Sequence, residues 1–273
     1  MHAIPNDLPP AVLNPTDEDI LEVTTKVDLL KDESKIHTCY NLQDGRYVKV
    51  SSSRHGGGLE EARVMHFIRI HTDIPVPRVH MVFERAGDFY NVMDHIPGDR
   101  LSRIYGSSAE DLQNIARQLA EIIQQIKSLS IPQQSVIGSW NARPFQNTWF
   151  KPLPWHQNVA PSSVFSTVTE FNDYWIRRSK LRVSSSFVDN TKIVLSHGDL
   201  NGANIIVRNG EIAAILDWDT FGWYPEFWEL IPPRIWVRGG DKWLEALDRT
   251  FGPESEMVTF YKALLISAFS QPG

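Results

Sequence analysis

The sequence predicts an α+β protein of two lobes, a small β-rich portion over residues 1–95 and a larger, mostly helical portion over 96–273. Three observations carry this expectation. Apolar residues recur with period two in paired segments between Ile36 and Asp94. Beyond Ile96-Pro97-Gly98 the spacing lengthens to that of an amphipathic helix. Short apolar runs between 193 and 217 then form one β insertion within the helical half. Two lobes joined at a Pro-Gly crossing leave a cleft between them, and clefts are where ligands usually sit.

Composition narrows the class. The 273 residues are 42% hydrophobic, 22% charged and 11% aromatic, too rich in aromatics for a disordered chain. With 27 Lys+Arg against 33 Asp+Glu the net charge is −6. No Lys/Arg run gives a footprint for nucleic acid, and the mild negative field favours a cationic small molecule only weakly. Apolar stretches such as Ile212–Leu216 and Ala263–Ile266 fall far short of the roughly 20 residues that span a bilayer, so no membrane partner is expected. The opening Met1–Asp7 has neither a basic region nor an apolar one, so no signal peptide is read there. Cys39 is the single cysteine, which excludes an intrachain disulfide and a paired-cysteine zinc site. The expectation is a soluble, cytoplasmic protein.

In chain order, Thr16-Asp17-Glu18-Asp19 with Ile20, Leu21 and Val23 predicts a short capped helix. Ile36–Leu42 and Arg46–Val50 flank Gln43-Asp44-Gly45 as a hairpin. Gly56–Gly58 reads as a flexible loop before a helix over Leu59–Ile70, which Pro75 and Pro77 stop. Val79–Glu84 and Phe89–Asp94 form a second hairpin around Ala86-Gly87-Asp88. Leu112, Ile115, Ala116, Leu119, Ile122, Ile123 and Ile126 follow the i, i+3, i+4, i+7 rule behind a capping box from Ser107 and Glu110. Residues 131–166 are rich in Pro, Trp and Phe and read as irregular. Thr167–Arg178 is a second capped helix, with Thr167 and Glu170 making the box. Ile193–Leu195, Asn204–Val207 and Ile212–Leu216 are short strands, the last two joined at Asn209-Gly210. From Pro225 the tail reads as three helices broken at Pro232-Pro233 and Gly252-Pro253.

The chemistry lies where polar residues interrupt apolar runs. Asp199 and Asn204 stand five residues apart between two strands, and Asp217 with Asp219 follows directly on a buried one. Carboxylates at strand ends are costly to desolvate unless something offsets their charge. Asp217, Asn204 and Asp219 are hard oxygen donors of the kind Mg²⁺ takes. Asp199 then remains to hold and deprotonate a hydroxyl.

The run from His197 to Asn204, followed by Asp217 after a hairpin, resembles the catalytic loop and metal-binding segment of the protein-kinase-like phosphotransferases. Gly198 after the histidine and Trp218 after the aspartate resemble the aminoglycoside phosphotransferase and choline kinase branch. The wording His197–Asn201, Ile215–Asp219 and Gly222–Glu226 is most like the fungal aminoglycoside-phosphotransferase-like proteins. The likeness runs from about residue 27 to 270 and implies a single kinase-like catalytic domain. It implies that Asp199 is the catalytic base, that Asn204 and Asp217 hold Mg²⁺, and that Lys49, fixed by Glu61, positions the ATP phosphates. It also implies that the Asp94–Gly98 hinge, through the backbone of Asp94 and Ile96, holds adenine. Two departures stand out. No Gly-x-Gly-x-x-Gly precedes Lys49, where Lys31-Asp32-Glu33-Ser34 takes the place of the phosphate-covering turn. The stretch expected to shape the acceptor pocket is hard to trace through 138–160.

Several residues stay open at this stage. Glu60 competes with Glu61 as the partner of Lys49, and Asp219 reads equally as a second metal ligand or a turn cap. His197 reads as a structural hydrogen-bonder. Most of Trp140, Trp149, Trp155, Trp175, Trp218, Trp223 and Trp228 read as core, with Trp223 and Glu229 the better substrate-facing candidates. The function expected is an ATP- and Mg²⁺-dependent phosphotransferase acting on a hydroxyl of a small molecule. The alternative is a kinase-like scaffold that binds a nucleotide or metabolite, or catalyses another reaction, without phosphorylating. A Ser/Thr protein kinase is less favoured, because only Trp218–Tyr224 separates Asp217 from Pro225-Glu226.

Overall fold

The computed structural model describes residues 8–30, 39–52, 57–131, 135–145, 149–150, 161–179, 181–183 and 191–270. After a single turn, α1 (Pro10–Leu13), comes α2 (Asp17–Leu30). Thr16 Oγ1 accepts from Asp19 N at 3.1 Å and Asp19 Oδ2 accepts from Thr16 N at 3.0 Å, a reciprocal cap. The helix runs 14 residues, longer than expected, because Val23, Thr24 and Val27 bury one face on the first sheet.

That sheet has the order β1-β2-β4-β3, from β1 (Cys39–Asn41), β2 (Arg46–Ser52), β3 (Val79–Arg85) and β4 (Asp88–Asp94). Alternation along β2 does the sorting. Val48 enters an outer core with Val23, Val27, Tyr40, Val92 and Phe83, so its neighbours Tyr47 and Lys49 take the opposite face. Against the sheet packs α3 (Gly57–His71). Here the expected loop is corrected at Gly57 and Gly58, which open the helix, while Gly56 lies outside the described residues. A Cβ on Gly58 would stand 2.7 Å from Phe89 Cβ, so its absence allows the helix to start hard against β4.

Beyond β5 (Asp99–Arg100), α4 (Ala109–Ser128) buries all seven residues that the spacing selects. Its cap is Ser108, one residue later than expected. Ser108 has extended backbone, its Oγ accepts from Asp111 N at 3.1 Å, and it donates to Asp111 Oδ2 at 2.7 Å. At α5 (Val168–Arg178), Thr167 Oγ1 accepts from Glu170 N, while Glu170 Oε2 reaches one residue further back, to Ser166 N.

Two small sheets complete the helical half. One is β6-β10-β7, from β6 (Gly138–Ser139), β7 (Ile193–Ser196) and β10 (Gly222–Pro225); the other is β5-β8-β9, with β8 (Ile205–Arg208) and β9 (Glu211–Ile215). The stretch read as irregular therefore contributes a strand, held by pairing with residues some 80 positions away. The tail is corrected too. The first of its three expected helices is only a 3₁₀ turn, Trp228–Leu230, with a second such turn, Pro232–Arg234, at the expected break, because Pro232 and Pro233 lack N–H groups and clash with a continuing α-helix. Then come α6 (Asp241–Phe251) and α7 (Glu256–Phe269).

The main core runs across both halves, joining Ala62, Met65 and Ile68 of α3 to the α4 face, Trp218 and Trp243. An aromatic core behind it gathers Phe150, Phe171, Trp175, Tyr224, Trp228 and Tyr261. No helix among the described residues is long and apolar enough to cross a membrane.

Candidate active site

The β8–β9 hairpin sets the positions of the acids. Asn209 and Gly210, at φ 55° and 78°, make the tight turn. Ile205 pairs with Ile215 and Leu216 N donates to Asn204 O at 2.9 Å, so Asn204 and Asp217 flank the same end of the hairpin. Asp217 has left-handed backbone (φ 66°, ψ 60°), which turns the chain at once into the 3₁₀ turn Trp218–Thr220. Left-handed conformation costs a non-glycine residue about 1–2 kcal/mol, a cost that clusters at functional sites.

Behind Asp199 lies a buried scaffold. Gly198 stands at φ +88°, and a Cβ there would fall 2.7 Å from Thr220 O and 2.8 Å from the Tyr224 hydroxyl oxygen. The Gly198 N–H donates to both Glu229 carboxylate oxygens at 3.2 Å, and its carbonyl accepts from Trp228 Nε1 at 3.0 Å. His197 Nε2 donates to Leu216 O at 3.0 Å while Nδ1 accepts from Asp199 N at 3.2 Å. That pattern assigns the neutral tautomer, and burial lowers the imidazole to about 4.

Both oxygens of Asp199 are held. Asn201 Nδ2 donates to Oδ1 at 2.7 Å and Asn204 Nδ2 to Oδ2 at 3.0 Å. Burial pushes the carboxyl up to about 7; the Asn201 amide opposes this, the Asp217 charge adds to it, and the Asn204 amide opposes it. The Asn204 amide nitrogen also donates to Asp199 O at 2.9 Å, and its amide oxygen makes no hydrogen bond among the described residues.

From β2, Lys49 Nζ meets Glu61 at 3.0 Å and Asp217 Oδ1 at 2.5 Å. Burial opposes the ammonium charge, but Glu61, Asp217 and Asp219 outweigh it and hold the group well above its ordinary value. Glu61 is 3% exposed; burial raises its carboxyl and Lys49 pulls it back. Glu60 faces elsewhere, 2.6 Å from Arg63 Nη1, so the geometry decides between the two glutamates.

At the hinge, the Asp94 side chain is already engaged, accepting from Arg78 N at 3.1 Å and lying 2.7 Å from His80 Nε2. His95 N donates to Gly45 O at 2.8 Å, which fixes the strand exit. The Ile96 N–H makes no hydrogen bond among the described residues, so the backbone is what this segment offers a ligand.

Residues 40–261 match a family described as APH, phosphotransferase enzyme family. The chain belongs to this family. Among solved structures, it is similar to an aminoglycoside-3'-phosphotransferase of type VIII at 17% identity and a TM-score of 0.51, covering 91% of this chain and 99% of that one. APH(3'')-Id from Streptomyces rimosus aligns at 16% identity and TM-score 0.54, covering 90% and 98%. A thermostable mutant of APH(4)-Ia, solved as a ternary complex with AMP-PNP and hygromycin B, aligns at 16% and 0.52, covering 81% and 76%. The structural likeness shows the fold alone, which is the protein-kinase-like fold of the aminoglycoside phosphotransferases. No curated protein matches the chain.

Within this phosphotransferase-family chain the structure brings Lys49, Glu61 and Asp217 into contact and Asn204 onto Asp199, with the Asp217 charge acting on the Asp199 carboxyl, while Asp94 and Ile96 stand at the strand exit. Two expectations are corrected. Glu229 is buried beneath the loop on Gly198 rather than facing a substrate, and Trp223 is 4% exposed within the core. Trp149, Trp175, Trp218 and Trp228 are buried as read; Trp155 and the Lys31–Ser34 turn lie outside the described residues. Asp219 is half-buried and close enough to act on Lys49 electrostatically. Sequence reasoning missed Asn201, whose signal was an amide two residues after an aspartate in a tight loop, the spacing of a side-chain-held turn.

Proposed function

We propose that this chain transfers the γ-phosphoryl group of ATP to a hydroxyl of a small molecule, with Mg²⁺ as its metal. One observation carries the reading: Lys49, Glu61 and Asp217, from three distant segments, meet through contacts of 3.0 and 2.5 Å. Phosphoryl transfer asks mainly for positioning and neutralised charge, and an ammonium locked between carboxylates is a prepared phosphate contact.

In this reading Lys49, steadied by Glu61, binds the phosphates, and the backbone at Asp94 and Ile96 binds the base. Among the described residues no three His, Cys, Asp or Glu side chains gather as a metal site. The donors that fit are the Asn204 amide oxygen and the Asp217 carboxylate, which would hold a Mg²⁺ ion that neutralises phosphate charge and keeps most of its shell as water and phosphate oxygen. Asp199 orients the acceptor hydroxyl and takes its proton at a carboxylate oxygen. The boundary between lobes is proposed at 95/96, after β4. A small acceptor is supported by the segment after Asp217, where the Trp218–Thr220 turn and β10 leave no length for a peptide-docking loop. The aminoglycoside in the hygromycin B complex makes amino sugars one group of acceptors to include.

The test is Mg-ATP-dependent thermal stabilisation followed by ATP turnover against a panel of hydroxyl-bearing metabolites. A mass gain of one phosphate on an acceptor is expected. No stabilisation and no turnover would leave the non-phosphorylating scaffold as the better reading.

A further inference from the structure

The carboxylate of Asp199 is held at both oxygens, yet the two amides that hold it differ in what else they do. Asn204 donates to Asp199 Oδ2 at 3.0 Å and to Asp199 O at 2.9 Å, and its amide oxygen is the donor available to a cation. Asn201 donates to Oδ1 at 2.7 Å, the shorter bond, and its own Oδ1 accepts from Ala203 N at 2.8 Å. Asn201 N also donates to Asp199 O and Asn204 N to Asn201 O, at 2.8 and 3.0 Å, which closes the loop on itself. Tertiary contacts support the same loop from the other side, with Gly202 O accepting from Ser102 N at 2.8 Å.

We infer that Asn201 is a positioning residue for the reaction, clamping Asp199 Oδ1 so that the carboxylate plane is fixed and one oxygen edge is presented to the acceptor hydroxyl. This rests on the reading of Asp199 as the base. A carboxylate free to turn about χ2 spends only part of its time aligned with an incoming hydroxyl. Two amides from one tight loop remove that freedom before the acceptor arrives. The Asn201 side chain performs two separable tasks. Its oxygen shapes the turn through Ala203 N, and its nitrogen restrains the base.

Asn201→Asp separates them, because the isostere still accepts from Ala203 N while a carboxyl group that repels Asp199 takes the place of the clamping amide. The experiment is hydrolysis of Mg-ATP, with water as acceptor, by the full chain and by Asn201→Asp, Asn201→Ala and Asp199→Asn, with kcat and KM for Mg-ATP measured separately. Both Asn201 variants are expected to lose on the order of 10- to 100-fold in kcat with KM for Mg-ATP within about twofold of the parent. An Asn201→Asp variant at parental kcat beside an impaired Asn201→Ala makes the residue a turn-former only and overturns the inference. Parental kcat in both, or a loss confined to KM, overturns it as well. Failure of the underlying reading shows elsewhere, as a parent that does not hydrolyse Mg-ATP or an Asp199→Asn variant that keeps the parental rate.

Discussion

The Lys49 ammonium and the Asp217 carboxylate, 168 residues apart in sequence, stand 2.5 Å from each other. Their contact joins the β2 strand to the end of the β8–β9 hairpin, so in the proposed reading the phosphate contact and the metal ligand share one charge. Asp217→Ala is therefore expected to abolish Mg-ATP-dependent stabilisation, whereas Asp199→Ala keeps it. At a nucleotide concentration near 100 Kd the parent gains about 2.7 kcal/mol, a rise of several degrees in Tm. Thermal unfolding with and without Mg-ATP checks this, and an Asp217→Ala protein stabilised like the parent would contradict it.

Stability and activity are expected to separate at the Lys49–Glu61 pair. Lys49→Met leaves Glu61, 3% exposed, without its partner, and breaking a buried pair costs about 3 kcal/mol. Adding Glu61→Leu removes the stranded charge and is expected to recover most of that loss in denaturant unfolding. Turnover should return in neither. A double variant as unstable as Lys49→Met would mean that the pair is not what the single change disturbs.

Gly198 admits no side chain. Its φ of +88° is unfavourable for alanine, and the new methyl would lie 2.7 Å from Thr220 O. Gly198→Ala should cost about 3 kcal/mol and on the order of 10 °C in Tm, while displacing the adjacent Asp199. Calorimetry beside turnover reads both, and an unaltered Tm would show that the loop shifts without strain.

Much of the site was legible because its signals are local. The period-two pattern of β2 fixes the face of Lys49, and the Asn209-Gly210 turn brings Asn204 beside Asp217. The α4 face is legible for the same reason, since seven apolar residues repeat at helical spacing. What stayed hidden depends on long-range contact. Glu229 reads as a substrate-facing acid until Gly198 is seen to donate to it from 31 residues away. The two-residue strand β6 has no periodicity of its own and exists only through pairing with Gly222 and Trp223. The cap at Ser108 rather than Ser107 was hidden for a smaller reason, because adjacent serines leave the choice to backbone geometry.

Glu229 also gives a pH signature. Burial raises its carboxyl from 4.5 to about 7 in the folded protein, against the opposing amides of Gly198 and His197. The folded state thus keeps a proton that the unfolded chain has already released. Its contribution is complete below about pH 4.5 and is lost as the pH rises through about 7. Glu229→Gln still accepts from Gly198 N, so unfolding free energy should fall less steeply between those pH values than in the parent. An identical slope in both proteins would place the Glu229 proton elsewhere.

The account stands or falls on Asp199 as the group that takes the acceptor's proton. The direct measurement is the rate of ATP turnover by Asp199→Ala beside the parent at saturating Mg-ATP. A fall on the order of 10³-fold is predicted, as for loss of a general base; a rate equal to the parent's would contradict the account.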